Sequence, residues 1–440
     1  MTEMSLSETR LDLEGGSTLT IGADNMELHA FAKTKSIPLY NILWAEVANN
    51  EITVDFVEHT SKSLVEPSNL IFRLAPNDSE GPGGSFAATF CRLLLARAYR
   101  EAKSRKCVYA LLNPKSGPGS ALRLWKNEVK PIFDAARMEL HVVVLGRGGE
   151  AAELAEKVDL RKYDTILACS GDGTVHEIFN GLGNRPDAGH ALACMPTIGI
   201  TAESDLDTEQ FRWMGSARFE FGVMTRILKR KCYPCDVALK VEIEDKARIK
   251  AHHSRYTNDT SLARIPTGVA KPATEYGLPK LKYGTVQDSL PEGWKSVPGD
   301  RMGTFYAGNV SVVGVSVIHP RSHTPLQMAY MSPNVNIFPA SVMTDGLLDL
   351  ITIDGDLSPV TALRVMSQTR SPNFLDNSYV NYRKISAYRV MPRNQHDGCI
   401  SIDGERIPFG PFQAEVHQGL GRVISKSGKY EAEGPANCQV

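Results

Sequence analysis

Residues 163–182, YDTILACSGDGTVHEIFNGL, constrain the fold more than any other stretch. Residues 165–169 are a short apolar run opening on β-branched side chains, the length of one buried parallel strand. The run breaks into Ser170-Gly171-Asp172-Gly173, and from Thr174 the apolar positions Val175, Ile178, Phe179 and Leu182 fall at helical spacing. Strand, glycine turn and helix together aim backbone N–H groups and a positive helix end at a phosphate. The two glycines let the main chain come close to a ligand. A carboxylate between them, Asp172, would repel phosphate unless it took a proton from an attacking hydroxyl or held a magnesium ion. The dinucleotide fingerprint GxGxxG and the pattern GxxxxGK[ST] are both absent here, so the loop belongs to another class. An ordinary βα turn with a polar tip is the alternative on spacing alone.

The motif SGDGTVHEIFNGL resembles the signature of the lipid-kinase superfamily that contains diacylglycerol, ceramide and sphingosine kinases. Similarity runs, with gaps, from about residue 107 to about residue 425. The resemblance implies an α/β nucleotide-binding domain joined to an antiparallel β-sandwich domain, with the active site in the cleft between. It implies ATP and Mg2+, and it matches Asp172 to the family's catalytic Asp, which accepts the proton of the lipid hydroxyl as that hydroxyl attacks the γ-phosphate. Ser170, Gly171, Gly173 and Thr174 then belong to the nucleotide loop.

A second glycine loop supports this. The strand-like run CVYALL, residues 107–112, leads to Asn113-Pro-Lys115-Ser116-Gly-Pro-Gly and a helical stretch over 120–136. It resembles the family's NPxSG motif, which places Asn113, Lys115 and Ser116 at the nucleotide; alone, Pro and Gly mark only a turn. After the next strand, 139–145, Leu145 and Glu150 stand where the family usually has a threonine and a histidine. After Pro196 the family's GSGNA segment is missing, a loss expected to expose sheet edges and apolar surface.

Residues 202–222 return to the family pattern and look most like fungal-type sphingoid long-chain base kinases. Asp205 matches the Asp that binds the amino and hydroxyl head of a sphingoid base, where a carboxylate suits an ammonium. Arg212 and Arg218 match arginines that reach ATP phosphates; surface salt bridging is their plainer reading. Further on, 338–353 carries the family's DGxLDL strand, and Asp403-Gly404-Glu405 resembles the DGE that returns to the nucleotide, although a bare Asp-Gly is otherwise a hairpin turn. Residues 310–327 are interposed where relatives have nothing; Val-Ser encoded by GTGAGT and Gln by CAG would suit an intron read in frame, and a surface-loop insertion is the alternative.

The outer parts of the chain are less specific. Residues 1–104 read as a β-rich N-terminal module closed by a helix over 86–102, either pleckstrin-homology (PH)-like or a plain β subdomain. Residues 105–196 form the expected nucleotide-binding domain, and 197–430 the expected lipid-binding β-sandwich domain. Within the latter, 235–249 reads as a strand pair, and 251–300, rich in Pro, Gly, Lys and Ser, as a mobile insertion.

A formal net charge of −1 over 440 residues gives no reason to expect nucleic acid. No apolar run is long enough to span a bilayer and no signal peptide is recognisable, so the expectation is a cytoplasmic protein that meets membranes peripherally. Eight cysteines without a disulfide framework fit a reducing compartment, and the single CxxC at Cys232 and Cys235 lacks the partners a zinc site needs. The implied reaction is ATP-dependent phosphorylation of the primary hydroxyl of a sphingoid base. The alternatives are a diacylglycerol or ceramide kinase, and a lipid-binding pseudokinase or mis-spliced product unable to hold ATP.

Overall fold

Alternating apolar residues in short runs build the N-terminal part. The computed structural model describes residues 9–30, 33–60, 65–75, 86–115, 121–170, 172–195, 197–201, 230, 232–258, 277–308, 337–369, 371, 373–393, 400–402, 405–424 and 434–435. The chain divides into two compact units, one comprising Met1–Tyr109 and Ala121–Val142, the other Ala110–Ser120, Val143–Ser316 and Thr324–Val440.

In the first unit, β1 (Arg10–Asp12), β2 (Thr18–Ile21), β3 (Asn25–Ala30) and β4 (Lys33–Pro38) form one antiparallel sheet. β5 (Ile42–Ala48), β6 (Glu51–His59) and β7 (Val65–Arg73) form another. β5 and β6 meet at a two-residue turn, Asn49-Asn50, both at positive φ, which matches the twist of the strands it joins. Inward positions such as Leu19, Met26, Ile52 and Phe56 bury against Phe90 and Leu94 of α1 (Phe86–Tyr99). Arg97 donates to the carbonyls of Ile21 and Gly22, and Tyr99 Oη donates to that of Leu43 at 2.7 Å.

The helical stretch expected over 120–136 is broken. It comprises α2 (Ala121–Leu124), a π-helical turn (Trp125–Val129) and α3 (Lys130–Ala135). Trp125 and Val129, at the two ends of the π turn, are both buried.

β8 (Cys107–Leu112), β9 (Glu139–Val144), β10 (Thr165–Ser170) and β11 (Thr197–Thr201) form one sheet in the order β11-β10-β8-β9. β10 and β11 are parallel. The Glu139 N–H donates to the Lys106 carbonyl and the Leu145 N–H to that of Leu112; 139 − 106 and 145 − 112 are the same offset, so β9 runs parallel to β8. All six residues of β10 are buried, as a strand covered on both faces requires. The connections carry α4 (Glu150–Glu156), α5 (Asp172–Gly183) and α6 (Ala188–Cys194). Residues 197–201, directly after the break in the family pattern, extend this sheet, and β11 is its edge among the described residues.

Downstream, 235–249 is not a strand pair. β12 (Cys235–Ile243) is followed by α7 (Lys246–Asn258). The Asp245 carboxylate accepts from the Arg248 N–H at 2.8 Å and caps the helix, while Ile249 and His253, one turn apart, face inward. The many charges of KARIKAHHSRYTN, and a histidine at one of the two buried positions, hide this inward face from a periodicity count. The mobile insertion expected over 251–300 is likewise corrected for its described parts. It starts inside α7, and 277–300 is fastened to the sheet and includes β13 (Lys295–Val297).

β14 (Met302–Gly308), β15 (Leu348–Asp354), β16 (Asn381–Pro392) and β19 (Phe412–Glu415) join β12 and β13 in one antiparallel sheet, with α8 (Pro359–Gln368) after β15. The twelve-residue β16 is its spine, pairing with β12 along one edge and with β15 and then β19 along the other. β17 (Ile400–Ile402) and β18 (Glu405–Ile407) form a hairpin. Among the described residues this part is one six-stranded sheet and a hairpin; a second sandwich layer is not among them.

Candidate active site

Strands β8, β9, β10 and β11 follow one another in sequence, yet β8 and β10 are neighbours in the sheet. Chain direction across the sheet therefore reverses between β8 and β10. In open parallel sheets a crevice forms at such a switch point, beyond the carboxyl ends of the strands. The loops following β8 and β10 flank it, and they hold the two glycine-rich motifs. The Asn113 N–H donates to the Cys169 carbonyl at 3.0 Å, which fixes these loops side by side at their bases.

Asn113 is half-buried, and its Oδ1 accepts from the Lys115 N–H at 3.0 Å. That Asx turn shapes the start of the loop, so Asn113 spends its carbonyl on geometry. Lys115 is exposed. On the other side Ser170 is the last residue of β10, and its hydroxyl donates to that of Thr174 in the first turn of α5; both side chains are buried. This bond ties strand end to helix start across Gly171-Asp172-Gly173. Asp172 is the first residue of α5, where the helix dipole favours an anion. Its carboxylate lies outside the described set, as do Gly171, Ser116, Asp205, Arg212 and Arg218. Ile402 pairs with Glu405, so Asp403-Gly404 is the two-residue connection of a hairpin; those two residues and the Glu405 side chain are also outside the described set.

Two residues of the motif have roles that spacing did not reveal. Glu177 accepts from the N–H of Gly149 at 2.9 Å and of Ala151 at 3.1 Å, satisfying donors at the start of α4. Glu150, in the family's histidine position, accepts from the Gly146 N–H at 2.7 Å. The turn after β9 is therefore closed by two carboxylates. Gly181 permits the close approach of α5 to α4: a Cβ there would lie 2.2 Å from the Ala152 carbonyl oxygen. A carboxylate five residues beyond Asp172, on a helix bound to meet its neighbour, was the available signal for Glu177.

A third group lies in the antiparallel sheet. Both aspartates of the DGxLDL stretch, Asp345 and Asp349, accept from Lys384 Nζ, at 2.9 and 3.1 Å. Tyr382 Oη donates to Asp349 at 2.6 Å, and His252 Nε2 lies 3.0 Å from Asp345 Oδ2. Burial works against the Lys384 ammonium, but the two carboxylates outweigh it and hold its pKa above the ordinary value. Burial also opposes Asp345, yet the His252 contact and the Lys384 charge leave its carboxyl below the usual range. At Asp349 burial prevails and pushes the pKa up. Gly346, at φ +74°, turns against Gln418, whose Nε2 donates to the Thr344 carbonyl at 2.7 Å. Beyond Gln418, a Cβ on Gly421 would stand 3.2 Å from the Phe179 ring of α5. The segment after the β17–β18 hairpin thus reaches the helix that Asp172 begins.

Residues 107–200 match the family described as diacylglycerol kinase catalytic domain. The chain carries that domain. Residues 26–100 match a domain of unknown function. The chain is homologous over most of its length to "Sphingoid long chain base kinase 5" of Saccharomyces cerevisiae, at 23% identity over 94% of this chain and 71% of that one. "Sphingoid long chain base kinase 4" of Schizosaccharomyces pombe is 25% identical over 93% and 90%. "Sphingosine kinase 1" of Rattus norvegicus is 24% identical over 73% and 92%. A solved putative diacylglycerol kinase from Bacillus anthracis str. Sterne aligns with TM-score 0.38 and 18% identity, covering 74% of this chain and 97% of that one.

Proposed function

We propose that this protein is a lipid kinase that transfers the γ-phosphoryl group of ATP to the primary hydroxyl of a sphingoid long-chain base. The observation that carries the reading is the Asn113–Cys169 backbone bond, which holds the bases of two glycine-rich segments together at the switch point of a sheet whose residues match a diacylglycerol kinase catalytic domain. The sphingoid base, rather than diacylglycerol or ceramide, is favoured by the homology to sphingoid base kinases along more than nine-tenths of the chain.

In this reading the loops present backbone N–H groups to the nucleotide, with Asn113, Lys115, Ser116, Ser170, Gly171, Gly173 and Thr174 around its phosphates. Asp172 takes the proton of the lipid hydroxyl, placed at the helix end nearest the transferring group. Asp205 holds the ammonium head group, Arg212 and Arg218 clamp the phosphates, and Asp403, Gly404 and Glu405 close on ATP. Magnesium would arrive with the polyphosphate, whose charge it neutralises.

The N-terminal seven strands in two antiparallel sheets, with a helix closing the module, support a PH-like reading of that part. Among the described residues no helix is long and apolar enough to cross a membrane. We take contact with the lipid substrate to be peripheral.

Labelled-phosphate transfer from ATP to sphinganine, with diacylglycerol and ceramide in parallel, tests the reading. Transfer to sphinganine is expected, with a loss of about 10²- to 10⁴-fold in Asp172→Ala. Asp205→Asn is expected to abolish sphinganine use. Transfer undiminished in Asp172→Ala would sink the assignment of the base. No transfer to any lipid, with no ATP bound by the purified chain, would favour the pseudokinase instead.

A further inference from the structure

Residues 277–282, Gly-Leu-Pro-Lys-Leu-Lys, leave two leucines in solvent, Leu278 at 51% and Leu281 at 56% exposure. Both ends of this stretch are pinned. The Gly277 carbonyl accepts from the Gly189 N–H on α6 at 3.1 Å. Glu415 of β19 accepts from the N–H groups of Lys282 and Tyr283 at 2.8 and 3.1 Å, and Lys282 Nζ donates to the Val416 carbonyl at 2.6 Å. The base is stiffened further where Tyr283 packs edge-on against Trp294 and where Arg389 donates to the Thr285 and Asp288 carbonyls. Pro279 stiffens the six residues between these two anchored ends. Lys280, between the leucines, and Lys282 are exposed, and no acidic residue occurs in the stretch.

Two apolar tips with an exposed lysine between them complement one surface in particular: an acyl boundary for the leucines beneath a layer of anionic headgroups for Lys280, while Lys282 Nζ is held by the Val416 carbonyl. We propose that residues 277–282 form a fixed prong that docks the protein on an anionic lipid bilayer. The proposal rests on the reading above, in which the substrate is a membrane amphiphile, and assigns that peripheral contact to a particular place.

Sedimentation with phosphatidylserine–phosphatidylcholine vesicles and with phosphatidylcholine vesicles, without ATP or substrate, tests it. Leu278→Ser combined with Leu281→Ser should weaken binding to the mixed vesicles about tenfold or more. Lys280→Glu should weaken binding to the anionic vesicles by roughly thirtyfold and leave neutral vesicles unaffected. Both variants change exposed positions, so their thermal midpoints should equal the wild type's, and transfer to sphinganine presented in detergent micelles should be unchanged. Wild-type protein that ignores the anionic vesicles would overturn the proposal, as would variants that bind them as well as the wild type. So would leucine-dependent self-association in solution with vesicle binding intact, because the prong would then belong to a second copy. Vesicle binding without phosphate transfer would leave the prong standing and remove the kinase reading, so the two fail separately.

Discussion

The carboxyl edge of the parallel sheet and the charged centre of the antiparallel sheet solve opposite problems. At the edge, the two strands lead into segments whose sequence is mostly glycine, proline and small polar residues. Its side chains, Asn113, Ser170, Thr174 and Glu177, bind backbone or each other and shape the loops. In the antiparallel sheet, an ammonium and two carboxylates are buried together, with Lys384 and Asp349 each at 0% exposure. There the side chains carry formal charge, and only mutual pairing makes their burial tolerable. The first region is where the proposed nucleotide would sit, whereas the second is closed on itself. Damage to the first should change chemistry, and damage to the second should change stability.

Removing the buried cation is the largest stress on that contrast. Lys384→Met leaves Asp345 and Asp349 without their shared ammonium, with only His252 and Tyr382 as remaining partners, and a broken buried pair costs about 3–5 kcal/mol. Urea unfolding should show the loss. The triple variant with Asp345→Asn and Asp349→Asn should regain part of it, because neutral amides no longer need the ammonium. A Lys384→Met protein of wild-type stability would mean that water reaches the cluster, and the two regions would then differ less than their burial implies.

His253 sharpens the comparison through pH. It is buried at 2% exposure on the inner face of α7, and a Cβ on Gly434 would press against its ring. Burial, reinforced by the nearby Lys384 charge and by His252, pushes its pKa down to about 4 from the ordinary 6.5. The folded protein therefore keeps His253 neutral where the unfolded chain binds a proton. Stability is fully present above pH 6.5 and is lost as pH falls from there through about 4. At pH 5 this single group should account for about 2 kcal/mol of lost stability. His253→Gln should remove that part of the difference in unfolding free energy between pH 7 and pH 5. An unchanged difference would show that the ring is hydrated and that this face of α7 is not sealed.

The two regions also differ in how far the sequence discloses them. The strand, turn and helix over 163–182 are local: the apolar run, the glycines and the helical spacing sit within twenty consecutive residues, and the structure places β10 and α5 there. The DGxLDL stretch is equally visible, and β15 follows it. Its partner is not, because Lys384 is a lysine inside a twelve-residue strand and no spacing rule connects it to Asp345 or Asp349. The same holds for Glu415, which fastens residues 282 and 283 from a distant strand, so a segment rich in Pro and Gly looks mobile until that clasp is seen. For α7 the signal itself was weak, since two buried positions among thirteen polar-rich residues barely make a face. Composition reports local propensity well, whereas a lone charged residue that anchors a remote segment leaves no mark on it.

Glu177 provides the smallest and most discriminating test, because it belongs to the motif by sequence and to the scaffold by contact. Its carboxylate receives the Gly149 and Ala151 N–H groups, so Glu177→Ala should cost about 1–2 kcal/mol, the scale of a lost helix cap. Glu177→Gln keeps an acceptor oxygen and should recover roughly half of that. The position also steers the turn between β9 and α4, which lies at the same sheet edge as the two glycine loops. If loop geometry governs the chemistry there, Glu177→Ala should raise the KM for ATP more than it lowers kcat, because nucleotide contacts loosen before the proton acceptor moves. A large fall in kcat at unchanged KM would instead place Glu177 beside the reacting groups, and the division between shaping side chains and a reacting carboxylate at Asp172 would have to be redrawn.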